Sequence, residues 1–102
     1  MNETEFMKQV TDLAEILGWS WVHFRPAQTQ RGWRTPVSGP MGKGWPDLFL
    51  VRGHRSIAAE LKSGTGKVAP EQYAVLELLQ ATGVETFVWR PADFDDLLAV
   101  LR

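Results

Sequence analysis

Cysteine is absent from the 102 residues. Disulfides and thiolate metal sites are therefore excluded, and any metal must be held by harder ligands. No apolar run approaches the ~20 residues of a membrane-spanning helix. The opening stretch Met1-Asn2-Glu3-Thr4-Glu5 is acidic and has no signal-peptide pattern. The expectation is a cytoplasmic protein with no membrane partner. Internal repeats, low-complexity tracts and linkers are lacking too. So are a G-x-x-x-x-G-K-[ST] phosphate loop and any Ser/His/Asp or Cys/His nucleophile arrangement. What remains is ordinary for a globular chain, 44% hydrophobic and 23% charged. The length predicts a single domain over 1–102 with one modest core.

The formal net charge of −1 looks wrong for a nucleic-acid binder, but its distribution does not. Residues 16–67 hold Arg25, Arg31, Arg34, Lys43, Arg52, Arg55, Lys62 and Lys67 against only Asp47 and Glu60, a net of +6. The remainder nets −7. A basic, Gly/Trp/Arg-rich loop beside two isolated acids suits a phosphate-backbone substrate. A merely solubilising loop is the plainer alternative. Arg25, Arg31, Arg34, Lys43 and Lys67 are the candidate backbone contacts.

Gly44-Trp45-Pro46-Asp47-Leu48-Phe49-Leu50-Val51-Arg52 and Ile57-Ala58-Ala59-Glu60-Leu61-Lys62 are short apolar runs joined by the polar Gly53-His54-Arg55-Ser56. This predicts a β-hairpin. A turn centred on His54 sets Asp47 opposite the stretch 60–62. Side chains alternate along a strand, so Glu60 and Lys62 share one face and Leu61 takes the other. Two carboxylates and an ammonium then converge at one end of an apolar hairpin. Unpaired buried charge is costly. A divalent cation held by the carboxylates, with the lysine beside it, resolves the conflict and suits metal-assisted phosphodiester hydrolysis. Ordinary edge-strand charges would explain a lone Glu-x-Lys. The Pro-Asp 13 residues upstream across a hairpin tips the balance towards a site.

Periodicity predicts the rest. Phe6, Met7, Val10, Leu13, Ala14 and Leu17 have helical spacing over 3–17, ended by Gly18. A strand follows over 19–24, with Trp21 and His23 on one face. Residues 25–45 read as a long loop with room for a short helical turn. The segment 63–67 is a flexible connection. A helix over 70–82 starts at Pro70 and stops at Gly83. A strand over 85–90 and a helix over 93–101, with Asp93 at its N-cap, complete the chain. The strand–helix–strand unit from 57 to 90 should be parallel and right-handed. The fold class is α/β: a mixed four-stranded sheet flanked by helices, in the order α-β-β-β-α-β-α.

Other residues carry two readings each. Glu3 falls within roughly 25° of the apolar stripe of the first helix and so points into the fold, toward the sheet. Alternatively it is a favourable charge at a helix N-terminus. Glu5 has capping-box spacing to Asn2. Gln72, in the first turn of its helix, either reaches the metal site or a phosphate, or is a solvated polar residue. Trp33 and Trp45 either stack on bases or pack the basic loop down. His23 is structural more often than catalytic.

Glu3, the Gly44-Trp45-Pro46-Asp47 run, Glu60-Leu61-Lys62, Gln72 and the ending Val88-Trp89-Arg90-Pro91 with Asp93 together resemble the VRR-NUC family of the PD-(D/E)xK nuclease superfamily. The small stand-alone phage and bacterial members are the most similar. The resemblance implies a restriction-endonuclease-like fold and a Mg²⁺- or Mn²⁺-dependent endodeoxyribonuclease. It further implies a homodimer acting on branched DNA such as four-way junctions, in a bacterial or phage-infected cell. By that resemblance Glu3, Asp47, Glu60 and Lys62 form the catalytic set and Gln72 assists. Asp47, Glu60, the main-chain carbonyl of Leu61 and, directly or through water, Glu3 would hold the metal. The loop 25–45 is longer than in many relatives, which leaves the substrate open. A non-catalytic DNA-binding module and an accessory interaction domain with an ion-pair cluster are the alternatives.

Overall fold

The computed structural model describes residues 1–24, 27–30, 32–34 and 37–102. Helix α1 (Glu3–Ile16) leads into strand β1 (Ser20–His23), followed by β2 (Ala27–Thr29), β3 (Gly32–Arg34), β4 (Leu48–Arg52) and β5 (Arg55–Leu61). Helix α2 (Pro70–Gln80), strand β6 (Glu85–Trp89) and helix α3 (Phe94–Leu101) complete the order. The main sheet runs β1-β4-β5-β6. β1, β4 and β5 pair antiparallel, and β5 and β6 pair parallel across α2. The sheet is thus mixed and four-stranded, as the sequence predicts. The stretch expected to be loop differs in one respect: it contains the β2–β3 hairpin, while the 3-10 turn Gly42–Gly44 is the short helical turn expected there. Three-residue strands are too short to leave a period-2 pattern.

The hairpin turn is tight. Arg52 faces Arg55, leaving Gly53 and His54 as a two-residue loop. Gly53 adopts φ +61°, the left-handed geometry a type II′ turn takes at its first position. That turn sets the register of everything after it.

Alternation splits β4 and β5 between two faces. Leu48, Leu50, Ile57, Ala59 and Leu61 join Phe6, Val10, Ala14, Leu97 and Leu101 in the main core, under α1 and α3. Ala58 and Glu60 point the other way, paired in register with Thr86 and Val88. Val75 and Leu76 are the buried residues of α2, which lies over that second face. The far end of the sheet is clasped by Arg52. Its guanidinium donates to the carbonyls of Leu17 (2.9 Å) and Leu101 (2.8 Å) and lies 4.4 Å over the Trp19 ring. Trp19 Nε1 donates to the same Leu101 carbonyl at 2.8 Å. Among the described residues no helix is long and apolar enough to cross a membrane.

Gly44 explains how the chain enters β4. It is buried, and a Cβ there would meet the Glu71 carbonyl carbon at 2.6 Å and Val75 Cγ2 at 2.9 Å. Only glycine lets the turn lie flat on α2. Pro46 follows, fully buried, and delivers Asp47 to the strand. Gly44→Ala should therefore cost about 1–3 kcal/mol in urea unfolding through overpacking. Gly42→Ala, whose Cβ would sit 3.4 Å from Val37, should cost clearly less. Equal losses would mean that the turn is not wedged on α2.

Candidate metal centre

Register brings the two acids together. Leu48 pairs with Ala59, so the preceding Asp47 faces Glu60 on the side that α2 covers. Asp47 is held at both ends. Its main-chain carbonyl accepts from Phe24 N–H at 2.9 Å. Its Oδ2 accepts from Leu61 N–H, also at 2.9 Å. A side chain thus continues the ladder one step past the end of β4.

Glu60 is 1% exposed. It lies on a central strand, so the reading of it as an edge charge fails. Its Oε1 stands 3.9 Å from Lys62 Nζ, and its Oε2 is buried without a hydrogen-bond partner. Burial comes first, then the Asp47 carboxylate, which can accept a hydrogen bond from a protonated Glu60 oxygen and repels its charged form; together they push the Glu60 carboxyl up to about 9. Lys62 pulls the other way, and the negative charge of Glu3 adds to the rise. Burial and Asp47 thus favour the protonated form of Glu60, and the Lys62 ammonium at 3.9 Å opposes them.

The remaining residues are placed less simply. Glu3 is exposed, because Phe6 is the first buried residue of α1 and the turn before it lies outside the core. Its charge still reaches Glu60 on the sheet. Glu5 caps the helix as expected: its N–H donates to Asn2 Oδ1 at 2.8 Å, and its carboxylate accepts from Asn2 Nδ2 at 3.0 Å. Gln72 is half-buried and uses Oε1 to accept from Ala69 N–H at 2.8 Å, capping α2 where alanine cannot. Lys62 is held at its main chain, where its N–H donates to the Trp89 carbonyl at 3.0 Å. Leu61 turns its side chain into the core and lends its N–H to Asp47. Asp93 does not accept from the first turn of α3. It accepts from Arg90 N–H at 2.8 Å, closing the 3-10 turn Pro91–Asp93.

Of the basic residues, Lys43 pairs with Glu71 at 3.4 Å, and Lys67 is exposed. The backbone of Arg34 lies opposite Ala27 on β3. Arg25 and Arg31 lie outside the described residues. Trp45 packs between Phe24 (5.9 Å, edge-on) and Phe49 (6.4 Å, stacked), which favours its role in holding the loop down. Trp21 and His23 stack at 5.6 Å, as their shared strand face predicts. The parts that sequence reasoning missed are Gly44, signalled only by its place in Gly-Trp-Pro-Asp, and Arg90, taken up below.

The donor set fits a divalent cation. Two facing carboxylates, one with an orphaned buried oxygen, supply hard ligands on one side and suit Mg²⁺ or Mn²⁺, which keep several water ligands. Among the described residues no three His, Cys, Asp or Glu side chains cluster as a ready-made metal cage. The protein's share of a coordination shell is therefore Asp47 and Glu60, with main-chain oxygen and water to complete it.

A solved structure described as a VRR_NUC domain protein matches this chain with a TM-score of 0.58 at 21% identity, covering 99% of this chain and 85% of that one. No protein-family model matches the sequence, and no curated protein matches it. The chain thus shares the α/β fold of that VRR_NUC domain protein.

The raised Glu60 fixes the sign of a pH effect. Between the ordinary value of 4.5 and about 9 the unfolded chain has lost a proton that the folded chain keeps. Stability of the metal-free protein must fall as pH rises through that window. Urea unfolding at pH 5, 7 and 9 in EDTA should show this decline, and Glu60→Gln should flatten it. A wild-type profile as flat as that of the variant would show that Glu60 titrates normally.

Proposed function

We propose that this chain is a Mg²⁺- or Mn²⁺-dependent DNA endonuclease that hydrolyses phosphodiester bonds. Branched DNA such as four-way junctions is its substrate, and a homodimer is its working form. The observation that carries the reading is the buried Glu60, facing Asp47, with an oxygen that nothing in the fold satisfies. Such a pair is costly to maintain without a ligand.

Asp47 and Glu60 hold the cation, with the main-chain carbonyl of Leu61 adjoining and Glu3 acting through water. A bound divalent cation supplies a Lewis acid for the scissile phosphate and for the attacking water. Glu60 must surrender its proton to take part, so cation affinity rises with pH until Glu60 is ionised by itself. Lys62, 17% exposed at its side chain, orients the water or offsets the charge that builds on the phosphate. Gln72, already engaged at Ala69 through its oxygen, presents its NH₂ end to a water or phosphate oxygen. Arg25, Arg31, Arg34, Lys43 and Lys67 meet the DNA backbone. One protomer makes one cut. A closed twofold pair, the commonest oligomer, supplies the two symmetric cuts a junction needs.

Asp47→Asn and Glu60→Gln should each abolish cleavage and metal binding, since each replaces an anionic ligand with a neutral one of similar size. Calorimetry with Mn²⁺ at pH 7 should also show about one proton released per site in the wild type. Cleavage at wild-type rates in either variant would remove the site. Metal binding absent from the wild type itself would leave a DNA-binding module with a nuclease-like fold.

Arg31→Ala with Arg34→Ala should weaken DNA binding across sequences and lower the salt slope by roughly two phosphate contacts. Metal affinity without DNA should not change. An unchanged slope would show that this loop does not meet the backbone, and paired cuts from a monomer in light scattering would remove the dimer.

A further inference from the structure

We propose that Arg90 is a positioning residue for Lys62, acting through the turn 63–66. Its effect on catalysis rests on the nuclease reading above, while its effect on Lys62 does not. The parallel register of β5 and β6 pairs Leu61 with Trp89, so Lys62 and Arg90 leave the sheet side by side. Lys62 N–H stays on the Trp89 carbonyl at 3.0 Å. The chain then reverses in a turn closed by Gly66 N–H donating to the Ser63 carbonyl at 3.0 Å, with Gly64 at φ +48°. This turn passes beside the lysine: a Cβ at Gly66 would lie 3.3 Å from the Ser63 carbonyl oxygen, 3.7 Å from Lys62 Cδ and 3.9 Å from Lys62 Cβ.

A glycine-rich turn has little stiffness of its own. Arg90 supplies it. Its Nη1 donates to the Gly64 carbonyl at 3.2 Å, a tie from the end of β6 to the tip of the turn. Arg90 is itself anchored. Its N–H donates to Asp93 Oδ2 at 2.8 Å, and its carbonyl accepts from Asp93 N–H at 2.8 Å. The chain of support therefore runs from Asp93 to Arg90, to Gly64, to the turn and to the stem of Lys62. The ammonium it steers stands beside Glu60. Nothing else from the turn's outer side holds it over the lysine among the described residues. A lysine stem with four rotatable bonds placed by packing alone loses its aim when that packing loosens.

The test uses the full chain with Arg90→Met, Arg90→Lys and Gly66→Val. Gly66→Val crowds the Ser63 carbonyl and the Lys62 stem, so it reshapes the turn while leaving the Arg90 side chain unchanged. Carbon-proton NMR of lysine side chains, with the Lys62 signal identified by its loss in Lys62→Arg, reads the lysine directly and needs no cleavage. In Arg90→Met and Gly66→Val that signal should move and sharpen toward that of a free surface lysine, and Arg90→Lys should restore it in part. With Mn²⁺ and junction DNA, the single-turnover rate of Arg90→Met should fall about 100-fold, as expected for a misplaced catalytic group. DNA affinity in EDTA and its salt slope should stay at the wild-type value. An unmoved Lys62 signal in both disrupting variants overturns the proposal. So does a loss of DNA affinity with a shallower salt slope in Arg90→Met, which would make Arg90 a phosphate contact. If the wild type cuts no DNA with either metal, the nuclease reading fails, and the NMR result still decides whether Arg90 positions Lys62.

Discussion

Burial of the Glu60 carboxyl is the constraint around which this end of the molecule is built. A carboxylate on a central strand, covered by a helix, is a poor way to make a core. The fold tolerates it by letting Glu60 keep a proton and by setting Asp47 against it. Several otherwise odd residues follow from that arrangement. Gly44 has no side chain because the turn before Asp47 must lie on α2. Pro46 is fully buried because the strand must start at a set point. Asp47 spends one oxygen on the Leu61 N–H, which holds it at the height of Glu60. Each feature lowers the freedom of the acid pair, and none of them neutralises it.

Much of this was legible in the sequence because it was written in register. Two apolar runs and a short polar turn place Asp47 against Glu60 with no knowledge of the third dimension. The glycine at position 53 then makes the turn as tight as the argument needs. Periodicity found α1, α2, α3 and the strands of the main sheet to within a residue or two at each end. It did not find β2 and β3, whose three residues each are shorter than any periodic signal. Glu3 shows the other limit. Its angle around the helix was sound, but an angle carries no information about how far along the axis the core extends. The core begins at Phe6, so Glu3 is exposed while its charge still reaches Glu60. Asp93 and Gln72 show a third limit. Asp93 stands at the N-cap position of α3, but which N–H its carboxylate or the Gln72 amide satisfies depends on turns that the pattern of apolar residues does not record.

Charge shows a related division. The basic excess over 16–67 survives folding only in part as free cation. Arg52 is committed to carbonyls at the far end of the sheet. Arg55 makes a two-point contact with Glu85, at 2.8 Å for each bond. Lys43 faces Glu71. A sum over a window of sequence treats these as equal to Lys67, which is exposed. The local field that a polyanion would meet is therefore narrower than the count implies.

The C-terminal end of β5 is where structural and chemical demands coincide. It carries Glu60 and Lys62, the turn 63–66 follows, and α2 starts at Pro70. An α/β unit generally places ligands beyond the carboxyl ends of its strands, because there the loops are free to vary while the strands hold their bases fixed. Here the free loop is short and rich in glycine, and Arg90 ties it from the neighbouring parallel strand. Rigidity that the loop's own composition does not provide is imported from β6, whose carboxyl end lies alongside for the same topological reason. The parallel crossover that completes the sheet is thus what brings a guanidinium to the one turn in this region that most needs bracing.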